Sequence, residues 1–473
     1  ALTNRPVNNA IEALQGKAAG VDIKSSERPG TIGSVRIRGN RSLSASNSPL
    51  YVVDGVPLMS ASAIETLNPR DIESIDILKD ASATAIYGSR GANGVIIVTT
   101  KQGKSGRFSL NYDGTVTTSK IVDRSPSMSA ADFIEFRRWA AYNLKPDEYA
   151  NPSAPTEAND RVLFASPLDG QTSRDNMLQG WAGGTWDPSK VTNTDWTEFV
   201  TQTGITSEHV LSASGGSDKM NAYGSFGYLN NKGTQKGQSY ERYTSKLSIN
   251  ITPVSWFKMA GSLNISWSEQ DYGMSTLGAT SSSVPNAIYG AAKSIYNMAV
   301  PYDKDGNIVI NPGGENGIYS VMDEWEKSTQ LSQTLRALGN FSATIEAGKI
   351  WEPLKGLSYK LNFGPDFRHW REGVYIDGTS VRKMQAGNIP GSNYARLQNR
   401  RDFSWTLDNM ITYDRTFASK HKVGATLLQT ASSWNIESSS MTASNIPKPS
   451  FLWNAMGSVD ITNTANKAGM SSD

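Results

Sequence analysis

The chain has 473 residues, 46 basic against 44 acidic side chains, and a net charge of +2. No basic run marks a nucleic-acid footprint, and with no cysteine there is no disulfide framework, thiolate nucleophile or cysteine-ligated zinc. No apolar run approaches the roughly 18 to 20 residues of a spanning helix, which leaves a soluble protein or a β-barrel whose lumen face keeps the composition polar.

Only His209, His369 and His421 are present, far apart in sequence, so neither a metal site nor a histidine-based triad is expected, and no cofactor. Ala1 opens without a charged–apolar–small signal pattern, so export would require a signal already removed or a start inside a mature protein. Abundant Gly, Asn, Ser and Thr suit turn-rich β-structure.

Residues 6–24 read as a helix, with Pro6 at its start and Ile11, Leu14 and Ala18 on one face, then a strand at Val21–Ile23. Residues 34–39 read as a second strand, with Val35 and Ile37 opposite Arg36 and Arg38. Leu50–Val53 is a third, followed by a turn at Asp54-Gly55. Ile72–Leu78 is a fourth, Ala81–Tyr87 a helical turn or two, and Gly94–Thr100 a fifth. The glycine-rich run Gly88–Gly94 invites a phosphate-loop reading. It follows a helix, precedes a strand and lacks Gly-Lys-Ser/Thr, the reverse of a strand–loop–helix cradle. Close packing is the better use of those glycines.

Five segments in order, Ala13–Val21, Arg36–Gly39, Pro49–Pro57, Asn68–Ile75 and Leu78–Lys101, resemble the plug domain of TonB-dependent outer-membrane transporters. More narrowly, they resemble the SusC/RagA family of Bacteroidetes nutrient importers. Residues 1–105 are therefore expected to form an α+β plug. The plug-motif and docking residues are Arg36, Arg38, Gly39, Asp54, Gly55, Lys79, Asp80, Tyr87, Gly88, Arg90, Gly91, Asn93 and Gly94. The resemblance implies that Arg36, Arg38 and Arg90 pair with acidic groups of the barrel wall.

Residues 106–473 read as the N-terminal part of a transmembrane antiparallel β-barrel. Phe108, Leu110, Tyr112, Gly114 and Val116 alternate with polar neighbours, as do Leu247–Ile251, Phe257–Trp267, Leu335–Ala347 and Leu357–Phe363. Phe257 and Trp267 share a face; at ~3.3 Å per residue and a tilt near 40° they stand roughly 25 Å apart along the normal, the spacing of two aromatic girdles. A long sandwich strand with aromatic ends is the bland alternative. Longer and shorter connections alternate, which places 119–206, 230–240, 269–330 and 369–399 outside the membrane. By the same parity Glu346 faces the lumen and is a candidate partner for the plug arginines.

About nine strands fit between residues 107 and 432, whereas plugged transporters have about 22, so the chain is expected to be part of something roughly twice as long. The polar tail from Gly457 reads as an external loop that stops, and relative to the family the C-terminal strands, the carboxypeptidase-like domain and the TonB box are expected to lie outside it.

Asp303-Lys304-Asp305-Gly306-Asn307 hints at calcium, but its spacing fails the EF-hand pattern and a turn is expected. Phe133, Phe136, Trp139 and Ala140 lie at helical spacing and read as core packing, with a rim or partner contact as the rival use. Trp181, Trp186, Trp196, Trp325 and Trp370 fall in expected external loops, where they would contact substrate or a lid or fill the cores of folded loops.

The resemblance implies TonB-dependent import of an oligosaccharide or oligopeptide across the bacterial outer membrane, without enzymatic activity. It implies a SusD-like surface lipoprotein lid, TonB with ExbB and ExbD, outer-membrane lipid, and a dimer of SusC–SusD pairs. A TonB-dependent siderophore or cobalamin receptor is the alternative on the same fold. A soluble β-rich glycan-binding or adhesin protein is the alternative from another class.

Overall fold

A computed structural model describes residues 11–24, 28–31, 33–44, 46–58, 64, 66–80, 85–273, 288–381, 392–417, 420–459 and 467–472. The first hundred residues form a small domain. Strands β1 (Val21–Ile23) and β2 (Val35–Ile37) pair antiparallel. Strands β3 (Leu50–Val53), β4 (Val56–Pro57), β5 (Ile72–Leu78) and β6 (Val95–Thr100) make a four-stranded sheet in the order β4-β3-β6-β5. Asp54 (φ 50°) and Gly55 (φ 89°) form the two-residue hairpin loop between β3 and β4, where left-handed φ at both positions matches the twist of the strands.

Two expected helices are 3₁₀ segments where they are described. Only a 3₁₀ turn, Glu12–Leu14, follows Ile11, and Pro6 lies outside the described residues. The second is a 3₁₀ segment, Ala85–Gly91, kinked at Gly88 (φ 56°, ψ −142°); residues 81–84 lie outside the described residues. A small apolar core joins Ile11, Ile37, Tyr51, Val53, Ile64, Ile72, Ile96 and Val98, and Leu338 of the following sheet completes it.

From Gly106 onward the chain is a meander. Strands β7 (Gly106–Ser119), β8 (Gly204–Gly216), β9 (Met220–Lys232), β10 (Gln238–Val254), β11 (Phe257–Tyr272), β12 (Ser328–Glu346), β13 (Leu357–Ile376), β14 (Tyr394–Phe417) and β15 (His421–Ser444) pair sequentially and antiparallel. They run 13 to 24 residues, beyond the roughly 9 to 11 that cross a bilayer. A tenth strand, β16 (Lys467–Ser472), pairs with β15, which corrects the reading of the tail as a plain loop. Polar edge segments pair through backbone groups, and composition alone hides that.

Short connections join one end of the sheet, and the long segments all lie at the other. The strands extend further outward than expected: β11 reaches Tyr272, β12 starts at Ser328, β13 reaches Ile376 and β14 starts at Tyr394. The external loops 269–330 and 369–399 are shorter by that much, and the 230–240 connection tightens to residues 233–237. Ladder hydrogen bonds keep the strands intact above the level where their outer face turns polar.

That outer face defines a band. Phe257, Ile345, Tyr359, Ile411 and Leu427 lie at one level by register, and Trp267, Leu335, His369, Arg401 and Glu437 at another. Between the two levels no outward residue of β11–β15 carries a charge. At the upper level Tyr228, Tyr243 and Trp267 form a ring row, with centroids 5.0 and 5.8 Å apart, and the ion pair Arg401–Glu437 (2.6 Å) sits at the same height. Rings at an interface and charges at or beyond it are what a hydrocarbon layer demands.

Candidate functional site

The site is the seam between the small domain and the inner face of the sheet. It begins with a local motif. Asn68 caps the 3₁₀ turn Pro69–Asp71, its Oδ1 accepting from the Arg70 N–H at 2.9 Å, while Pro69 fixes the first φ. The next two side chains are thereby aimed at the wall. The Arg70 guanidinium stands 3.4 Å from Asp113 on β7 and 3.6 Å from Glu208 on β8. Asp71 accepts the Tyr223 hydroxyl of β9 at 2.8 Å. Asn68 Nδ2 donates to Thr244 Oγ1 of β10 at 3.4 Å, beside Gly227, where a Cβ would meet Asn68 Nδ2 at 2.4 Å.

Contacts continue along the sheet. Arg242 of β10 donates to the Leu67 carbonyl (3.3 Å). Gln270 of β11 donates to the Pro29 carbonyl and to Thr31 Oγ1 (2.9 Å). Asn340 of β12 donates to the Asp54 carbonyl. On β13, a Cβ at Gly364 would lie 2.4 Å from a Val56 methyl, so the backbone itself is the docking surface. Neighbouring Pro365 has no N–H, and ladder pairing with β12 is interrupted between Asp366 and Phe363. One small domain thus touches seven consecutive strands, β7 to β13, so the sheet curls around it.

Two cavities flank the Asp54–Gly55 hairpin. One, of about 520 Å³, lies toward the short-turn end between Gln102, Asn250, Lys258 and Thr344; the other, of about 450 Å³, lies between Tyr87, Arg90, Asp408 and Thr430. Burial, helped by the negative charge of Asp408, raises the Tyr87 pKa. Burial alone lowers that of Arg90. Within the seam the Lys246 ammonium of β10 is buried, 5.7 Å from the Tyr223 ring, with no hydrogen-bond partner among the described residues.

The residues singled out from sequence mostly hold the small domain together. Arg36 donates to Asn40 (2.5 Å), and Arg38, held at φ 58° beside Gly39, pairs with Asp80 at 2.6 Å. Lys79 donates to the Ala19 carbonyl, and Asn93 to the Ser46 carbonyl at 2.8 Å. The Asp54 carboxylate accepts from the Thr100 N–H (2.8 Å) and hydroxyl (2.5 Å). Gly55 and Gly88 supply left-handed φ, Gly91 is buried, and Gly94 (φ 88°) would drive a Cβ to 2.7 Å from Ile37. Arg90 donates to the Leu58 carbonyl (3.1 Å) while lining the second cavity.

Three expectations are corrected here. Arg36 and Arg38 find partners inside their own domain, because the Arg38–Gly39 turn points them along its surface; Arg70 meets the wall carboxylates instead. Glu346 does face inward, but at the short-turn end it is held by Lys258 (2.5 Å) and Lys349, and their positive charge lies closer than any plug arginine. Trp370 is not in a loop: it sits on the inner face of β13, its indole N–H on Ser332 Oγ at 2.7 Å.

The other tryptophans fill folded loops. Trp181 donates to Asp160 (2.9 Å), and the Trp186 ring lies under the Arg138 guanidinium, 4.0 Å from its centroid. Trp196 is buried and donates to the Tyr296 carbonyl, and Trp325 packs in the same cluster. Segments 120–203 and 288–327 share these cores, joined further by Asp123–Lys293 (2.6 Å). The 130–142 stripe divides: Phe133 is buried, but Phe136 and Trp139 are exposed, contrary to core packing. Asp303 closes its own turn by accepting the Asn307 N–H at 2.9 Å.

Comparison with known proteins places this geometry. The family model described as the TonB-dependent Receptor Plug Domain matches residues 1–95. TonB-dependent receptor P3 of Formosa agariphila is 30% identical over 422 residues, covering 88% of this chain and 36% of that protein. TonB-dependent receptor SusC of Bacteroides thetaiotaomicron is 30% identical over 406 residues, 83% of this chain and 36% of its own length. The structure of the RagAB peptide importer in the closed-closed state shares the fold, with a TM-score of 0.76 at 23% identity over 100% of this chain and 51% of that one. The chain therefore spans about a third of the curated relatives and about half of that solved chain.

Proposed function

We propose that this chain, SusC/RagA-like and TonB-dependent in its plug, its sequence and its fold, takes part in energised import of a nutrient across the bacterial outer membrane. The observation behind this reading is the seam. The small domain occupies the inner face of a membrane-type wall and is held there by polar contacts spread over six strands, β7 to β12, with Val56 packed on Gly364 of β13 beside them. Each contact is individually modest, of order 1 kcal/mol net. A stopper held this way is fixed at rest and can be displaced by a pull that breaks a few contacts at a time.

In this reading residues 1–105 are the plug and the residues after them are wall. The substrate is an oligosaccharide or oligopeptide gathered by the external loops. A SusD-like lipoprotein covers those loops, and TonB, driven through ExbB and ExbD, pulls on the plug. Val56 and Gly364 provide the test, because a Cβ at Gly364 would stand 3.1 Å from that of Val56, a few tenths of an ångström inside the roughly 3.5–4.5 Å of a disulfide, so a slight shift of the seam admits the bond, and the chain has no native cysteine. The intact protein carrying Val56→Cys and Gly364→Cys should cross-link on oxidation, lose energy-dependent uptake and regain it with reductant. Uptake unaffected by a formed cross-link would refute plug displacement.

A further inference from the structure

The inner face of the wall carries a second polar cluster beyond the plug contacts. Arg336 on β12 sits two residues from Leu338, the wall residue in the plug core, on the side toward the long loops. Its guanidinium is buried and forks onto Asp366 of β13, with Nε on one carboxylate oxygen at 2.9 Å and Nη2 on the other. Next along the face, Asp402 of β14 is shared by Arg368 (2.8 Å) and Arg400 (2.7 Å). The five groups enclose a cavity of about 130 Å³, bordered by Ser404 and by Trp434 of β15.

Three features separate this cluster from a purely structural ion network. Three guanidinium groups face two carboxylates, so the cluster keeps one net positive charge. The Arg336 Nη1 is buried and has no hydrogen-bond acceptor among the described residues. A buried charged donor left without an acceptor is unfavourable, so its persistence marks a place where an acceptor arrives from outside. Finally, the Trp434 side chain stands on the cavity rim, where its ring can cover a solute.

We propose that this cavity is an oxyanion subsite: it binds a carboxylate or sulfate carried by the transported solute as it passes from the loops toward the plug. The Arg336 Nη1, which has no acceptor among the described residues, can donate to such a group, and the Trp434 ring flanks the adjoining sugar or side chain. The reading rests on import for the origin of its ligand, whereas its test is equilibrium binding, which needs no energy source.

The test uses the intact protein in detergent, titrated calorimetrically with tetragalacturonate and tetra-aspartate, and with maltotetraose and tetraserine as neutral comparators. At least one anionic probe should bind about tenfold tighter than its neutral counterpart, a difference of about 1.4 kcal/mol, and which one does so tells sugar from peptide. Arg336→Gln strands Asp366 and endangers folding. Arg400→Gln, at a half-exposed position, is the decisive variant, because Asp402 keeps Arg368. It should weaken the anionic probe several-fold and leave the neutral one unchanged, with partial recovery in Arg400→Lys. Equal binding of charged and neutral probes, no binding of either anion, or an Arg400→Gln affinity equal to the parent would overturn the subsite. Charge-selective binding without energised uptake would keep the subsite and remove the import reading.

Discussion

Arg70 and Asp71 show how a few residues decide the seating of a domain. Both side chains are largely buried against wall groups of matching polarity. Arg70→Ala would leave Glu208 buried beside no cation, so we expect a loss of about 1–3 kcal/mol in plug seating. Protease release of the plug fragment measures it, and an unchanged release midpoint would contradict the assignment. Tyr223→Phe removes one hydroxyl–carboxylate bond and should loosen the plug by about 1 kcal/mol in the same assay. The sequence did contain the signal: an Asn-Pro-Arg-Asp run is a capped turn that aims two charges. What it lacked was a direction. Arg36, Arg38 and Arg90 stand beside glycines just as conspicuously, and only the packing of the turn shows which arginine looks outward.

At the level of elements, β13 and the external loops are the informative parts. Gly364 and Pro365 interrupt a long strand where the wall meets Val56. Gly364→Val should therefore overpack the seam by about 1–3 kcal/mol. The same protease assay should show a released plug while heat-modifiable mobility on gels still reports an intact wall; a seated plug would place the close approach elsewhere. The loops carry a pH-sensitive tie. The hydrogen bond from Lys293, followed by the Ser125 N–H, holds the Asp123 carboxyl below its ordinary value of 3.8. A carboxylate with a depressed folded pKa adds stability above the unfolded value, and that stability is lost as pH falls through the folded one. Amide protection around residues 120–128, taken relative to the intrinsic exchange rate at each pH, should hold from neutral pH to about 5 and fall as pH drops below the ordinary carboxylate range, and Lys293→Met should lower it already at neutral pH. Protection independent of Lys293 would dismiss the tie.

Over the whole molecule, two bodies of unequal cohesion share one seam. The plug has a small core that borrows Leu338 from the wall, whereas the wall is a continuous ladder of strands up to 24 residues long. Local stability follows buried contacts and protected hydrogen bonds. Under native exchange conditions the amides of β1, β2 and residues 85–91 should open before those of β10–β14. Simultaneous opening would indicate one cooperative unit and would weaken the case for a movable plug.

Sequence alone determined the class of this protein, because period-two alternation over more than ten residues, girdle-spaced rings and a small globule ahead of them have few physical solutions. It also located the plug strands, which are short apolar runs bounded by glycine and asparagine turns, and the faces of the wall, since alternation fixes parity. Tertiary structure decided partnership. Whether Arg38 meets Asp80 or a wall carboxylate, whether Glu346 meets a plug arginine or two lysines, and whether Trp370 lies in a loop or on the lumen face all depend on contacts between residues distant in the chain. Periodicity encodes which way a side chain points, and only packing encodes what stands in front of it.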